Sequence, residues 1–298
     1  MAQSHILVGA NTELAAPAVR RITTADLWDA LRQGWDDFSA MPSHAIFLCI
    51  IYPIIGVGLA ALTLGYAVLP LLFPLAAGFA LIGPIAAVGL YELSRRREAA
   101  MEVSATDIFQ VLHSPSIGAI VALGILLTLI FLIWVATANA IYVAHFGYAA
   151  PESAGQFLHD VFMTPAGRSM IVIGNGVGFL FALAVLTISV VSFPMLLDRD
   201  AGAAGALLTS VRAVLANPVP MALWGILVAA LLALGSLPLF LGLPLVLPVL
   251  GHATWHLYRK VVEPDPNPRP EYQPRPKGTR HAADFPAVLF PWARDDTQ

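Results

Sequence analysis

Residues 70–98 read PLLFPLAAGFALIGPIAAVGLYELSRRRE, and this stretch decides the fold. Its first 22 residues carry no charge and end at Tyr91, shortly before Arg95, Arg96 and Arg97. About 20 apolar residues cross the hydrocarbon core of a bilayer, and an aromatic residue followed by arginines is typical of the membrane–water interface. The stretch therefore predicts a transmembrane helix with its arginine-rich end in the cytoplasm.

The composition of the whole chain supports a membrane protein. Of its 298 residues, 58% are hydrophobic and 12% are charged, and the net charge is −3. A soluble domain carries about twice that share of charged residues. The balance of charge argues against a nucleic-acid binder with a basic surface. The single cysteine, Cys49, excludes a disulfide within the chain.

Four long stretches contain no Asp, Glu, Lys or Arg, and they locate the predicted spans. These stretches are 38–91, 108–151, 169–197 and 213–258. Their apolar runs are continuous rather than alternating, which favours helices over membrane β-strands. We therefore predict an all-α membrane bundle of six transmembrane helices, near 44–65, 70–91, 117–142, 169–194, 220–237 and 240–258.

The basic residues near the span ends predict the orientation. Six spans place both termini on one side of the membrane. On that side lie eight basic residues, whereas Arg168 lies alone on the other side. Basic residues are enriched on the cytoplasmic side, so both termini are predicted to be cytoplasmic. The eight residues are Arg32, Arg95, Arg96, Arg97, Arg199, Arg212, Arg259 and Lys260.

The predicted organisation has three parts. Residues 1–22 form a disordered N-terminus, 23–260 the six-helix membrane domain, and 261–298 a proline-rich cytoplasmic tail. The tail holds eight of the 23 prolines, which favours extended polyproline II structure. It ends in the apolar patch 285–292, FPAVLFPW. Two interpretations stay open: a disordered tail, or a peptide that docks on the cytoplasmic face or on a partner.

The sequence around the spans indicates a repeated unit. Amphipathic segments at 24–41, 105–114 and 204–217 each end just before a proline, which disfavours helix at the residue before it. Two spans also share the same spacing between two prolines, an aromatic residue and an arginine. Prolines are common in membrane helices, so a chance match is an alternative. The pattern favours three parallel repeats of a surface helix plus a hairpin. The matched residues are Pro74, Pro84, Tyr91 and Arg95, and Pro238, Pro248, Trp255 and Arg259.

The first surface helix, 24–41, is the most regular of the three. Thr24 is its predicted N-cap. The opposite face is acidic, whereas helices that bind anionic lipid are usually basic there. We therefore expect this helix to pack on the protein itself, near Arg95–Arg97, and reversal of its two last acids to lysine to destabilise the protein. Its predicted apolar stripe is Leu27, Leu31, Trp35 and Phe38, with Trp28 beside it, and its polar face is Asp29, Arg32, Asp36 and Asp37.

Little in the sequence indicates catalysis. The predicted span cores contain no charged residue, and no Ser–His–carboxylate set, P-loop or zincin motif is apparent, so we expect no enzyme. Asn139 and Asn175 are the candidate ligand or interaction residues inside the spans. The glycines of Gly174–Gly178 favour close helix packing over a ligand site around Asn175.

Histidines offer the one route to a cofactor. His252 and His256 lie four apart on the last span, and His44 and His113 lie near other cytoplasmic span ends. Neutral imidazoles there could bind haem or a metal, but interfacial side chains are the favoured interpretation, so we expect no cofactor. In the outer loop, His145, His159 and Asp160 form only a weak zinc pattern, since a closed site takes four ligands.

Three stretches resemble a known family. Residues 70–98, the segment Phe193–Arg199 (FPMLLDR) and the helix with Trp28 and Gly34–Asp37 resemble domain of unknown function 2189, a bacterial family of predicted integral membrane proteins. The resemblance covers roughly 20–260. It implies a bacterial inner-membrane protein without established activity. Some relatives carry a cytochrome c oxidase subunit I label, but that subunit needs about twelve spans and intramembrane histidines, which this chain lacks.

Three functions follow, in order of preference. The first is a non-enzymatic accessory or assembly factor that binds lipid and a membrane-protein complex. The second is a transporter or pore for a small solute, with a water-lined cavity around Asn139 and Asn175. The third is a haem or metal carrier that depends on His252 and His256. The candidate interaction residues on the cytoplasmic face are Arg95, Arg96, Arg97, Asp198 and Arg199.

Overall fold

The computed structural model describes residues 17–41, 69–101, 103–148, 151–238 and 240–265. Within these ranges the fold is all-helical, as predicted, and its only β-pairing is an isolated bridge between Val19 and Val262. The α-helices are α1 (Thr24–Ala40), α2 (Leu72–Phe79), α3 (Gly83–Glu98), α4 (Ile117–Phe146), α5 (Ala154–Met163), α6 (Pro165–Ser189), α7 (Ser192–Asp198), α8 (Gly202–Ala216), α9 (Pro218–Ser236) and α10 (Leu243–Val261). Short 3₁₀ helices lie at Leu69–Leu71, Ala80–Ile82 and Ala105–His113.

Four helical stretches are long and apolar enough to cross a membrane. They are Pro74–Glu98, Ile117–Phe146, Pro165–Asp198 and Pro218–Ser236, at the predicted second to fifth spans. The predicted sixth span, 240–258, corresponds to the helix α10. This helix is too polar in its second half to count among the candidate membrane spans. The predicted first span, 44–65, lies outside the described residues.

Two of the predicted continuous spans are interrupted near a proline. Between α2 and α3 the chain makes a 3₁₀ turn at Ala80–Ile82, just before Pro84. Proline lacks an N–H and restricts the residue before it, so an ordinary α-helical turn is lost there. Between α6 and α7 the helix breaks at Val190 and Val191, ahead of Pro194. The predicted spans at 70–91 and 169–194 still correspond to the single candidate spans Pro74–Glu98 and Pro165–Asp198, each with a local interruption near a proline.

The three surface segments lie close to their predicted bounds. They are α1, the 3₁₀ helix Ala105–His113 and α8, and each ends just before a proline in the sequence. The cap of α1 is Thr23 rather than Thr24, because Thr23 and Asp26 form a capping box. Ser104 and Asp107 form the same box ahead of the 3₁₀ helix. Reciprocal bonds of this kind satisfy N–H groups at the start of a helix.

The face by which α1 packs differs from the predicted stripe. Trp35 is half exposed and Asp37 is buried, which reverses their predicted places. The cause is Gly34, which lies so close to Ala253 of α10 that a Cβ at Gly34 would stand 2.6 Å from the backbone nitrogen of Ala253. Because α1 crosses α10 at Gly34, the side of α1 that carries this glycine faces the bundle, even though larger apolar residues lie on other sides of the helix. The buried residues of α1 are Leu27, Ala30, Gly34, Asp37 and Phe38.

Helix α10 is the central element, because it packs on α1 on one side and on α3 on the other. Gly251 meets Leu90 of α3 closely. Tyr91 and Trp255, which the sequence places at the membrane interface, are both buried in the protein core. The Trp255 indole donates a hydrogen bond to Glu98 Oε2 over 2.8 Å.

The segment before α1 and the segment after α10 are hydrogen-bonded to each other. The backbone N–H of Arg20 donates to the carbonyl of Val261 over 2.7 Å, and that of Glu263 donates to Ala18 over 3.1 Å. Residues 18–22, which the sequence places in a disordered terminus, are therefore hydrogen-bonded structure. The segment before α1 and the segment after α10 lie together at one end of the bundle.

Asn217, at the junction of α8 and α9, fastens this N-terminal segment. Its Oδ1 accepts from the backbone N–H of Ile22 over 2.8 Å, and its Nδ2 donates to the carbonyl of Arg20 over 3.0 Å. Asn217 is itself buried. It thus ties residues near position 20 to a helix almost 200 positions later in the chain.

Replacing Asn217 with alanine is expected to lower the free energy of unfolding by about 1–3 kcal/mol, because a buried N–H and a carbonyl lose their partners. Denaturant unfolding of the purified protein in detergent measures this. Ser236→Ala is the control, since the Ser236 hydroxyl bonds only the carbonyl of Leu232 in its own helix. Equal losses in the two variants would contradict the assignment.

Candidate functional site

Five polar residues of α1, α3 and α10 converge at the end of the bundle where the termini meet. They form what we name the Asp37 cluster: Asp37, Ser94, Arg97, His252 and His256. Spacings of three in α3 and four in α10 place each pair on one helix face. Ser94 and His252 are fully buried, and Asp37 nearly so.

The Asp37 carboxylate is the centre of the cluster. Its Oδ2 accepts from the Ser94 hydroxyl over 2.6 Å and lies 2.8 Å from His256 Nε2. Its Oδ1 accepts from Arg97 Nη1 over 2.6 Å. Ser94 Oγ in turn lies 2.7 Å from His252 Nδ1. One side chain of α1 is thus bonded to both α3 and α10.

The bonding pattern fixes the protonation of His252. A carboxylate only accepts, so the single hydroxyl proton of Ser94 goes to Asp37. The Ser94 oxygen must then accept from His252, whose Nδ1 carries the proton. The other ring nitrogen, Nε2, has no hydrogen-bond partner among the described residues.

These bonds set the acidity of Asp37. Burial alone would raise the pKa of its carboxyl, but the bonds from His256 and Ser94 outweigh burial and lower the pKa below 3.8. Asp37 therefore ionises more readily in the folded protein than in the unfolded chain, so folding stabilises its negative charge.

A lowered pKa predicts a loss of stability in acid. Since the pKa of Asp37 in the folded state lies below its unfolded value of 3.8, its contribution is complete above that pH and falls as the pH drops through the folded value. We expect the wild type to lose more stability than Asp37→Asn between neutral pH and the acid range. Melting temperatures across a pH series measure this, and parallel curves for the two proteins would contradict it.

The cluster brings together a serine, a histidine and a carboxylate from positions 94, 252 and 37. Because these positions lie far apart in the chain, no local motif in the sequence reveals the grouping. In a hydrolase the serine donates to the histidine and the carboxylate bonds the other ring nitrogen. Here Ser94 donates to the carboxylate, and both Ser94 and His252 are sealed from solvent. The arrangement suits the fastening of α1 rather than nucleophilic attack.

Glu92 organises a second group of charges at the end of α3. It accepts hydrogen bonds from Arg95 over 2.8 Å and from Arg96 over 2.7 Å. Arg96 is buried and also reaches Asp107 at 3.2 Å, at the start of the 3₁₀ helix 105–113. This pairing holds that surface helix against α3.

A third group surrounds Asp198, at the end of α7. Asp198 Oδ2 accepts from the Tyr258 hydroxyl over 2.5 Å and lies 3.3 Å from Arg199 Nη2 and 3.4 Å from Arg259 Nη1. Arg199 also donates to the carbonyl of Glu263 over 2.8 Å. Asp198 and Arg199 therefore belong to an ion-pair network that also includes Arg259 of α10.

The predicted cytoplasmic candidates thus all lie at one end of the bundle. Arg95, Arg96, Arg97, Asp198 and Arg199 each bond residues of the same chain. A cavity of about 370 Å³ opens beside them and carries both signs of charge. It is lined by Gln33, Asp36, Asp37, Arg97, Glu98, His256, Arg259 and Lys260.

Asn139 and Asn175 lie elsewhere, on the antiparallel helices α4 and α6. His145 Nε2 of α4 lies 3.2 Å from Ser169 Oγ of α6, and Trp134 covers Gly178. Since position 145 faces 169 and position 134 faces 178, the two asparagines lie at the same level. Both are exposed, and within the described ranges Asn175 Nδ2 donates only to the carbonyl of Ile171 one turn back.

The histidine candidates do not assemble into a metal site in the part of the chain that the structure describes, where no three His, Cys, Asp or Glu side chains are suitably grouped. His252 and His256 belong to the Asp37 cluster, His113 is exposed at the end of its 3₁₀ helix, and His44 lies outside the described residues. On the other side, His159 lies 3.6 Å from its neighbour Asp160.

The apolar spans and their arginine-rich ends agree with the comparison to known families. Residues 71–198 match the model of DUF2189, a family described as predicted integral membrane protein. The family resemblance predicted from the sequence is thereby confirmed over residues 71–198. The DUF2189 match is narrower than the predicted 20–260, because α1 and the helices from α8 to α10 fall outside it. It gives no support to the cytochrome c oxidase label. No curated protein and no solved structure matches the chain.

Proposed function

We propose that this integral membrane protein is a non-enzymatic accessory or assembly factor, which binds another membrane protein within the bilayer. The observation that carries the proposal is the pair Asn139 and Asn175. Two amides lie exposed at one level on two adjacent apolar helices that can span a membrane.

An exposed amide is costly in lipid, because hydrocarbon offers it no hydrogen bond. Asn139 lies seven residues before the end of α4 at Phe146, or about 10 Å along the helix axis. Asn175 lies ten residues after the start of α6. Both therefore sit inside the apolar stretch rather than at its rim. Asparagines at such positions pair with polar groups of neighbouring helices.

The surface beside Asn175 has room for a partner helix. Among the described residues, a Cβ at Gly174 or Gly176 would meet nothing within 4 Å. By contrast, Gly178 is already covered by Trp134, 3.0 Å from the position of such a Cβ. Small residues let two helix backbones approach closely. The sequence predicts close helix packing at the glycine run 174–178. Within the described residues, Gly178 packs on Trp134 of the same chain, whereas the surface at Gly174 and Gly176 is open.

The charged end of the bundle supports a scaffold rather than a catalyst. Its arginines and acids pair with one another and hold the surface helices in place, so they fix a rigid face. Basic residues are concentrated at this end, which favours a cytoplasmic location for it in a bacterial inner membrane. This orientation includes the predicted first span, 44–65, and gives six spans in all.

The transporter remains the second candidate, and it predicts water-lined asparagines. Their exposure on the outside of α4 and α6 favours a contact surface instead. A haem or metal carrier would use His252 and His256, which already bond Ser94 and Asp37.

The proposal is tested by affinity purification of the tagged protein at native expression in mild detergent, with an absorption spectrum of the eluate. We expect a stoichiometric membrane-protein partner, which Asn139→Leu combined with Asn175→Leu releases while the melting temperature is unchanged. Thr137→Leu, on nearly the opposite side of α4, is the matched control and keeps the partner.

Three results would contradict the proposal. A colourless protein that elutes alone would favour the transporter and lead to flux assays in liposomes. A Soret band without a partner would favour haem binding. Equal loss of the partner in Thr137→Leu would show that the asparagines have no special part in the contact.

A further inference from the structure

Each of the three surface helices exposes two large apolar side chains. Exposure is greatest at Leu215, where it reaches 73%, and at Trp28, where it reaches 67%. Each helix packs its remaining apolar residues on the bundle. The six side chains are Trp28 and Trp35 of α1, Phe109 and Leu112 of the 3₁₀ helix 105–113, and Leu208 and Leu215 of α8.

Connectivity places these helices at one membrane face. The 3₁₀ helix joins the span that ends at Glu98 to the span that begins at Ile117. Helix α8 joins the span that ends at Asp198 to the span that begins at Pro218. A connector between consecutive spans begins and ends on the same side of the bilayer. Helix α1 is held at that same end by the Asp37–Arg97 bond and by Asn217.

The sides of α1 divide in a way that suits a membrane surface. At about 100° per residue, Leu31 lies between the buried Leu27 and the exposed tryptophans, so the apolar arc extends from the protein-facing side to one flank. Asp29 and Asp36 lie beyond this flank on the acidic side of the helix, where Asp29 pairs with Lys260 of α10 and Asp36 lines the charged cavity. One helix thus offers a face to the protein, a flank to lipid and an acidic side to water.

We propose that α1, the 3₁₀ helix 105–113 and α8 form an interfacial collar, whose six exposed apolar side chains insert among lipid headgroups. Lipid is the occupant because two of the three helices continue directly into spans, so their exposed apolar side chains continue the apolar surface of those spans. Tryptophan is typical of this depth. The polar side of α1 is acidic, so insertion is apolar and does not need anionic lipid.

The test uses spin labels on the full chain in phosphatidylcholine nanodiscs, in a Cys49→Ser background. Single cysteines replace Trp28, Trp35 or Leu112, and each variant keeps the other five apolar side chains. Asp36→Cys and His113→Cys are the matched controls, each one residue from a test position. Their labels are expected to face water.

Labels at the three test positions should show a ratio of oxygen to aqueous nickel-complex accessibility roughly threefold or more above the controls, since oxygen concentrates in lipid. The contrast should be unchanged in nanodiscs that contain phosphatidylglycerol. Equal ratios at test and control positions would overturn the proposal. So would labels shielded from both reagents, which would indicate a covering protein, or a contrast seen only in anionic lipid.

Discussion

Asp37→Ala is expected to lower the free energy of unfolding by about 3 kcal/mol, because it removes a buried carboxylate that is hydrogen-bonded to Ser94, Arg97 and His256. Arg97 loses its carboxylate partner, and the buried Ser94 and His252 are left without the acceptor that orders them. Denaturant unfolding in a fixed detergent measures the change. Asp37→Asn keeps the volume and part of the bonding, so its loss should be smaller.

Asp36 provides the matched control for this result. It is adjacent, carries the same charge and is exposed. Asp36→Ala should change stability by no more than about 0.5 kcal/mol, as is usual for surface sites. The lysine reversals should divide in the same way, with Asp37→Lys severe and Asp36→Lys mild. Equal effects at the two positions would mean that the Asp37 cluster does not fasten α1.

Gly34→Ala is expected to cost about 3 kcal/mol, at the upper end of the usual range for an overpacked site. The new Cβ would stand 2.6 Å from both the backbone nitrogen and the Cβ of Ala253. Backbone cannot move aside as a flexible side chain can, so α1 must separate from α10. Unfolding measurements should show the loss, and α1 should become sensitive to limited proteolysis.

Gly205→Ala in α8 is the control for the glycine result. A Cβ there meets only the Cβ of Ala201, at an ordinary 3.7 Å. Alanine also favours helix over glycine by up to about 1 kcal/mol, so this variant should be neutral or slightly more stable. A similar loss in both glycine variants would indicate a general intolerance to alanine rather than a close crossing at Gly34.

Features set by local sequence could be predicted. Charge-free stretches located the four described spans, because a bilayer excludes charge over about 20 residues whatever the tertiary structure. The prolines after α1, the 3₁₀ helix and α8 fixed the ends of these helices for a local reason as well. The kinks at Ala80–Ile82 and Val190–Val191 depend on how the helix accommodates a proline, so only their neighbourhood could be anticipated.

Features set by contacts between distant residues could not be predicted. Asp37 was grouped with Asp36 because both are acidic, whereas its burial depends on Ser94 and His252. The predicted apolar stripe of α1 was built from large side chains, so it did not include Gly34. A glycine in the middle of a regular helix is nevertheless a signal that another helix approaches closely. Likewise the sequence supplied Asn139 and Asn175 separately, and only the antiparallel register of α4 and α6 places them at one level.

Photo-crosslinking tests most directly whether the surface of α4 and α6 around Asn139 and Asn175 binds a membrane protein. A photoreactive amino acid at Val172, one turn from Asn175 and exposed, is activated in intact membranes at native expression. Ile226 of α9, which is also exposed, is the control position. We predict a single protein adduct from Val172 and none from Ile226. The absence of a protein adduct at Val172, or an adduct of twice the protein's own mass, would contradict the account.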